Sequence, residues 1–198
     1  MTARGRRAGV ILCGGRSSRM GRPKHLLELH GRTFFDWCRS ALEEVVGEIV
    51  VSLAKEQEAP STANVTVFFD DFSDSGPLAG VAASLERCTA AHVAIVSCDA
   101  PLVSTKLLGL LFDEVGDHDA AIGVVGGRLQ FFPGVYRRET GTRAREMVER
   151  GQLSMAKFVE GCRVLRVPEK RIRSCDAGLD SFRNVNTPEE YAAMVERR

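Results

Sequence analysis

Short apolar runs alternate with segments of helical period from near the start of the chain to beyond its middle, and this alternation restricts the fold more than any other feature. Ala8 to Cys13, Glu48 to Leu53, Val65 to Phe69, His92 to Ser97 and Ala120 to Val125 read as strands. Strands that are apolar at nearly every position are those covered on both faces. Among them, Phe34, Cys38, Ala41, Leu42 and Val45 share one helical face behind a Thr33 cap, with Gly47 beyond. Pro77 to Cys88 reads as a helix entered through Gly76. Leu108, Leu111, Phe112 and Val115 share a face behind Ser104 or Thr105. Such alternation builds βαβ units, so the expected class is α/β with a mostly parallel sheet.

The last third reads as more helical. Gln130 to Tyr136 is expected to be a strand, Ala144, Met147 and Val148 mark a helix stopped by Gly151, and Ser154 to Glu160 a shorter one. Arg163 to Val167 reads as a strand. Thr187-Pro188-Glu189-Glu190 has the cap, first-turn proline and carboxylates of a helix start. With no repeat or linker, one domain over residues 1–198 is expected, Met1 to Arg7 being a flexible basic terminus.

Composition narrows the partners. Lys and Arg number 27 against 26 Asp and Glu, so no field favours bulk nucleic acid or an anionic membrane. Basic residues cluster locally instead, which fits a small anionic ligand. No apolar run is long enough to span a bilayer. The six cysteines form no C-x-x-C pair and several lie in apolar runs, as expected of reduced thiols in a cytoplasmic protein.

In open α/β sheets ligands collect outside the carboxyl ends of the strands, and there the chemistry-bearing residues lie. Leu12-Cys13-Gly14-Gly15-Arg16-Ser17-Ser18-Arg19-Met20-Gly21-Arg22-Pro23-Lys24 follows the first run. Glycines let the backbone approach a ligand, exposed amides make an anion nest, and Arg19 and Lys24 add charge. The spacing is neither the dinucleotide fingerprint nor the P-loop. A glycine-containing basic loop is also a common structural feature, so the stretch alone indicates only a phosphorylated ligand. Asp99, at the end of the His92 to Ser97 run, is a candidate for holding Mg²⁺ against phosphate, with Asp70 or Asp71 as helper. It could equally begin a turn before Pro101. Gly76-Pro77-Leu78-Ala79-Gly80 leaves room for a flat ring or makes a tight helix entry. Asn184 and Asn186 point to one side of an extended segment, beyond what the cap at Thr187 needs. Phe131, Phe132 and Trp37 are candidates for core or interface.

Together the segments LCGGRSSRMGRPK, GPLAG, CDAPLV and NVNTPEEY resemble the molybdenum cofactor guanylyltransferase family, which attaches GMP to molybdopterin. They stand in the family's order and span most of the chain. The first and third are shared with the wider group of sugar-nucleotide-type transferases. The resemblance implies a three-layer Rossmann-like nucleotidyltransferase fold that uses GTP and Mg²⁺. It places Leu12, Cys13, Gly14 and Gly15 with Gly76, Pro77, Leu78 and Gly80 on the nucleotide, and Lys24 and Arg19 on the phosphates. Asp99 would hold the metal, Asp70 or Asp71 would contact nucleotide, and Asn184 and Asn186 would face molybdopterin or its molybdenum-loaded form. It also implies a molybdenum-insertion protein and recipient molybdoenzyme chaperones as partners. Cys13 stands where the family usually has alanine, and Ser52 where some members have asparagine. Gln130 and Pro133 match the family's substrate-side loop by position only. The alternatives are a cytidylyltransferase for the same cofactor or another sugar-nucleotide-type nucleotidyltransferase, and a nucleotide-binding regulatory or adaptor subunit without turnover.

Overall fold

The first strand, β1 (Arg7–Leu12), is buried from Ala8 onward because it is flanked on both edges and both faces. The computed structural model describes residues 6–14, 20–55, 57–60, 65–70 and 76–196, with the backbone alone for Asp70. After β1 come the short hairpin β2 (Glu28–Leu29) and β3 (Arg32–Thr33), then α1 (Phe34–Glu43), β4 (Glu48–Ala54) and β5 (Thr66–Asp70). Next are α2 (Pro77–Arg87), β6 (His92–Ser97), α3 (Thr105–Glu114), β7 (Ala120–Val125) and β8 (Arg128–Arg137). The chain continues through α4 (Thr140–Glu149), α5 (Met155–Glu160), β9 (Val164–Pro168), α6 (Glu169–Arg173) and α7 (Pro188–Val195).

The main sheet has seven strands in the order β5-β4-β1-β6-β8-β7-β9. Every pair is parallel except those made by β8, which runs antiparallel to both β6 and β7. The expected mostly parallel α/β sheet is therefore present, with one reversed strand. Gly126 and Gly127 cause the reversal. Both have positive φ, 56° and 75°, as a two-residue hairpin turn of primed type requires.

Side chains alternate between the two faces, and helices cover both. Ile11 joins Leu42 of α1, Leu108 of α3 and Ile172 of α6 in one core. Val10 joins Leu78 of α2, Met147 of α4 and Phe158 of α5 in the other. A small third cluster holds Leu27, Leu29, Phe34, Val185 and Met194, with Trp37 and Tyr191 packed against it. It fastens α7 to the β2–β3 hairpin and the start of α1. The caps are those expected: Thr33 accepts from the Asp36 amide, Ser104 from the Leu107 amide, and Thr187 with Glu190 forms a capping box.

Some expectations need correction. Arg7 is not part of a flexible terminus. It opens β1, pairs with Asp113 at 2.8 Å and lies 4.7 Å from the centre of the Phe112 ring. Helix α1 ends at Glu43, ahead of Gly47, because the amides of Val45 and Val46 both turn back to the Leu42 carbonyl. The β2–β3 hairpin and α6 are too short for a periodic signal. All six cysteines are free, as expected. No helix among the described residues is long and apolar enough to cross a membrane.

A short 3₁₀ turn, Lys24–Leu26, carries the fully buried His25. Its Nε2 lies 3.0 Å from the Glu58 carbonyl, which can only accept, so Nε2 carries the proton. Nδ1 is buried with no partner among the described residues. Burial holds the His25 pKa below 6.5, and burial lowers that of His92 as well.

Two stability predictions follow from this packing. Phe158 is fully buried and stacks on Tyr136 at 6.3 Å, so Phe158→Ala should cost about 3–5 kcal/mol in urea unfolding. A loss below about 1 kcal/mol would contradict the packing described. Below pH 6.5 the unfolded chain takes up protons at His25 and His92 that the folded chain resists, so stability should fall as pH is lowered from 6.5 towards the depressed folded values. His25→Gln keeps the donor to Glu58 and removes one titration. Melts at pH 7 and pH 5.5 should show a smaller loss in that variant than in the wild type.

Candidate active site

Parallel register brings the strand ends together. Leu12 of β1 pairs with Ser52 of β4 on one side and with Ser97 of β6 on the other. The ladder continues past the strands, with the Cys13 amide on the Ser52 carbonyl at 2.8 Å and the Cys98 amide on the Leu12 carbonyl at 3.0 Å. From β1 the chain builds outward through β4 and β5, then returns to place β6 on the opposite edge of β1. That is the switch point at which open α/β sheets bind ligands.

A cleft of about 410 Å³ opens there. One wall is Leu12, Gly14 and Ser52 with Gly76, Pro77 and Gly80 at the entry to α2. Gly76 has φ 74°, and none of the described residues stands within 4 Å of where a Cβ would sit, so the wall is open at this turn. Ser97 and Asp99 also line the cleft, and the facing side is Leu129, Gln130, Phe131, Phe132 and Asn184.

Asp99 follows β6 in a tight turn closed by the Ala100 amide on the Ser97 carbonyl at 3.1 Å. The expected turn is present, and Asp99 lines the cleft from it. Lys24 comes from a distant part of the chain. Its Nζ lies 3.5 Å from Asp99 Oδ2 and donates to Asn186 Oδ1 at 2.7 Å. The Val185 amide donates to the Asp99 carbonyl at 2.8 Å. Lys24, Asp99, Asn184 and Asn186, picked from separate segments of the sequence, therefore meet in one place. Their arrangement offers a partly buried ammonium and a carboxylate at the mouth of a glycine-walled cleft. That pair can receive a phosphate and a hard cation side by side.

Other selected residues fall differently. Gly15, Arg16, Arg19 and Asp71 lie outside the described residues. Asp70 ends β5 opposite Ala54, at the same end of the sheet as Ser52. Leu78 is fully buried in the α2 core and is not a cleft-lining side chain. Cys13 is buried on the other face of the sheet, in one cluster with Cys38 and Cys98. Burial there raises the pKa of Cys13 and Cys38 well above the usual thiol value, so both stay protonated.

Phe131 and Phe132 pack against the α2-side core, as one of their two readings has it, and they also line the cleft. The β7 register jumps from Ile122 opposite Gly134 to Gly123 opposite Gln130. The intervening residues of β8 leave the ladder as a bulge, which turns the two rings to the cleft. The buried Tyr136 hydroxyl donates to the freed Phe131 carbonyl at 2.7 Å. Gln57 was not anticipated either. Its amide accepts from Ala54 at 2.8 Å and donates to the Cys13 carbonyl at 3.1 Å, tying the ends of β1 and β4 together. A lone glutamine in a polar stretch gives no signal of this.

Residues 9–166 match the model of the MobA-like NTP transferase domain. The chain is 32% identical over 190 residues to a Bacillus cereus protein named "Probable molybdenum cofactor guanylyltransferase", with 93% of each chain covered. A Bacillus anthracis protein of the same name is 31% identical over 189 residues, again covering 93% of each. Among solved structures, molybdopterin-guanine dinucleotide biosynthesis protein A from Archaeoglobus fulgidus superposes with a TM-score of 0.82 at 22% identity, over 96% of this chain and 97% of that one. The 2-C-methyl-D-erythritol 4-phosphate cytidylyltransferase of Thermus thermophilus gives 0.72 at 19% identity, over 94% and 96%. These structures share the fold, and the relatives and the family model share the sequence as well: the chain belongs to the MobA-like NTP transferase domain family.

Proposed function

We propose that the protein transfers GMP from GTP to the terminal phosphate of molybdopterin, or of its molybdenum-loaded form, and releases pyrophosphate. The observation that carries this reading is the approach of Lys24 to Asp99, which lines the switch-point cleft together with Asn184. The names of the relatives support the acceptor and the base.

An oxygen of the acceptor's terminal phosphate attacks the α-phosphorus of GTP. The bond from that phosphorus to the pyrophosphate oxygen breaks, and the leaving group carries away the electron pair. A phosphate monoester has its second pKa at about 6, so the nucleophile is already largely ionised near neutral pH. No strong general base is needed, and positioning and charge stabilisation do the work. Lys24 supplies positive charge to the phosphates, and Arg19 adds to it at the leaving pyrophosphate. The bare wall at Gly76 and Gly80 takes the flat part of the nucleotide. The first amides of α2 lack intrahelical acceptors and are available as donors, so Leu78 serves through its backbone.

Mg²⁺ fits this donor set. Asp99 is a hard oxygen ligand with its side chain 22% exposed. Mg²⁺ is commonly held by one or two carboxylates, with phosphate and water completing its shell. When bound it neutralises charge on the phosphate oxygens.

Asp99→Ala should lower turnover about a hundred- to a thousandfold with the fold intact by circular dichroism. Wild-type-like product formation by that variant would remove Asp99 from the chemistry. Pyrophosphate release with molybdopterin should be fastest with GTP when GTP, CTP, ATP and UTP are compared. A CTP preference would replace GMP transfer with CMP transfer. Binding without release for every nucleotide would make the protein an adaptor.

A further inference from the structure

We propose that Asn186 is a positioning residue that aims the Lys24 ammonium, and that it serves the nucleotide half of the cleft, not the acceptor half. The inference rests on the nucleotidyl-transfer reading above. It starts from the bond between Lys24 Nζ and Asn186 Oδ1, which at 2.7 Å is shorter than the 3.5 Å separation between the same ammonium and Asp99. An amide oxygen and a carboxylate do different things to a lysine. The carboxylate neutralises it, while the amide fixes its direction and leaves the charge in place for a phosphate.

Asn186 is itself held from several sides. Its backbone amide donates to Glu190 Oε2 at 2.6 Å, and Glu190 is the carboxylate of the capping box at the start of α7. The preceding residue, Val185, is fully buried, and its amide holds the Asp99 carbonyl at 2.8 Å. Tyr191, one turn into α7, donates from its hydroxyl to the Glu28 carbonyl at 2.7 Å, close in sequence to Lys24. One segment thus fixes the backbone of Asp99 and the side chain of Lys24 together. Asn184 differs: it lines the cleft itself.

A cycle of wild type, Asn186→Ala, Lys24→Ala and the double variant tests this, with KM measured for nucleotide and for molybdopterin separately. Asn186 is exposed at the surface, and thermal melts will show that the variants fold. Asn186→Ala should raise the KM for GTP about tenfold and leave that for molybdopterin within about twofold. In the Lys24→Ala background the same substitution should change neither by more than about twofold, because residues that act through one another are not additive. An unchanged KM for GTP, a raised KM for molybdopterin, or full additivity would overturn the inference. A wild type that releases no pyrophosphate with any nucleotide would instead overturn the transferase reading beneath it.

Discussion

Leu12 sits between Ser52 and Ser97, hydrogen-bonded in register to a parallel strand on each side. This fixes where everything else in the site can be. A slip by one residue in a strand exchanges its two faces, so burial on both faces locks the register. Ile11 faces α1 and α3, while Val10 and Leu12 face α2. Once those faces are filled, the carboxyl ends of β1, β4 and β6 must lie at one level. Gly14 and Asp99, two residues beyond the ends of β1 and β6, line the cleft there. The extra bonds from Cys13 to Ser52 and from Cys98 to Leu12 carry this order into the turns, so Asp99 is delivered by the sheet and not by a free loop.

Electrostatics explains why the cleft is tied together by the C-terminal segment. A partly buried carboxylate and a partly buried ammonium each lose hydration, and each is costly without a partner. Lys24 and Asp99 are 17% and 22% exposed at the side chain and face each other at 3.5 Å. That distance is loose for an ion pair. The shorter bond to Asn186 keeps the ammonium from closing onto the carboxylate. An anionic group can then approach the ammonium without first breaking a tight salt bridge.

Much of this was legible in the sequence, for identifiable reasons. Strands buried on both faces are continuous apolar runs, so β1, β4, β6 and β7 stood out. Caps such as Thr33, Ser104 and Thr187 act over three residues and can be read locally. Lys24, Asp99, Asn184 and Asn186 were legible because polar residues at strand ends and in extended segments exceed what local structure needs. Gln57 and the Phe131–Phe132 shelf were not. A bulge depends on how β8 meets β7, and no single strand's pattern encodes that. The direction of β8 was written in Gly126-Gly127, but only as a turn that two flanking strands must share.

The same geometry settles how Cys13 should be understood. Next to a ligand loop, a cysteine in place of the family's usual alanine looks like a change in the wall that meets the base. In the folded chain its thiol points away from the cleft, into the core shared with Cys38 and Cys98. Its amide is taken by Ser52 and its carbonyl by Gln57. The substitution is a packing change on the far side of the sheet, where a small apolar residue is wanted and a buried thiol qualifies. The wall itself is Leu12, Gly14, Ser52 and the bare turn at Gly76. Cys13 therefore gives its thiol to the core and not to the cleft.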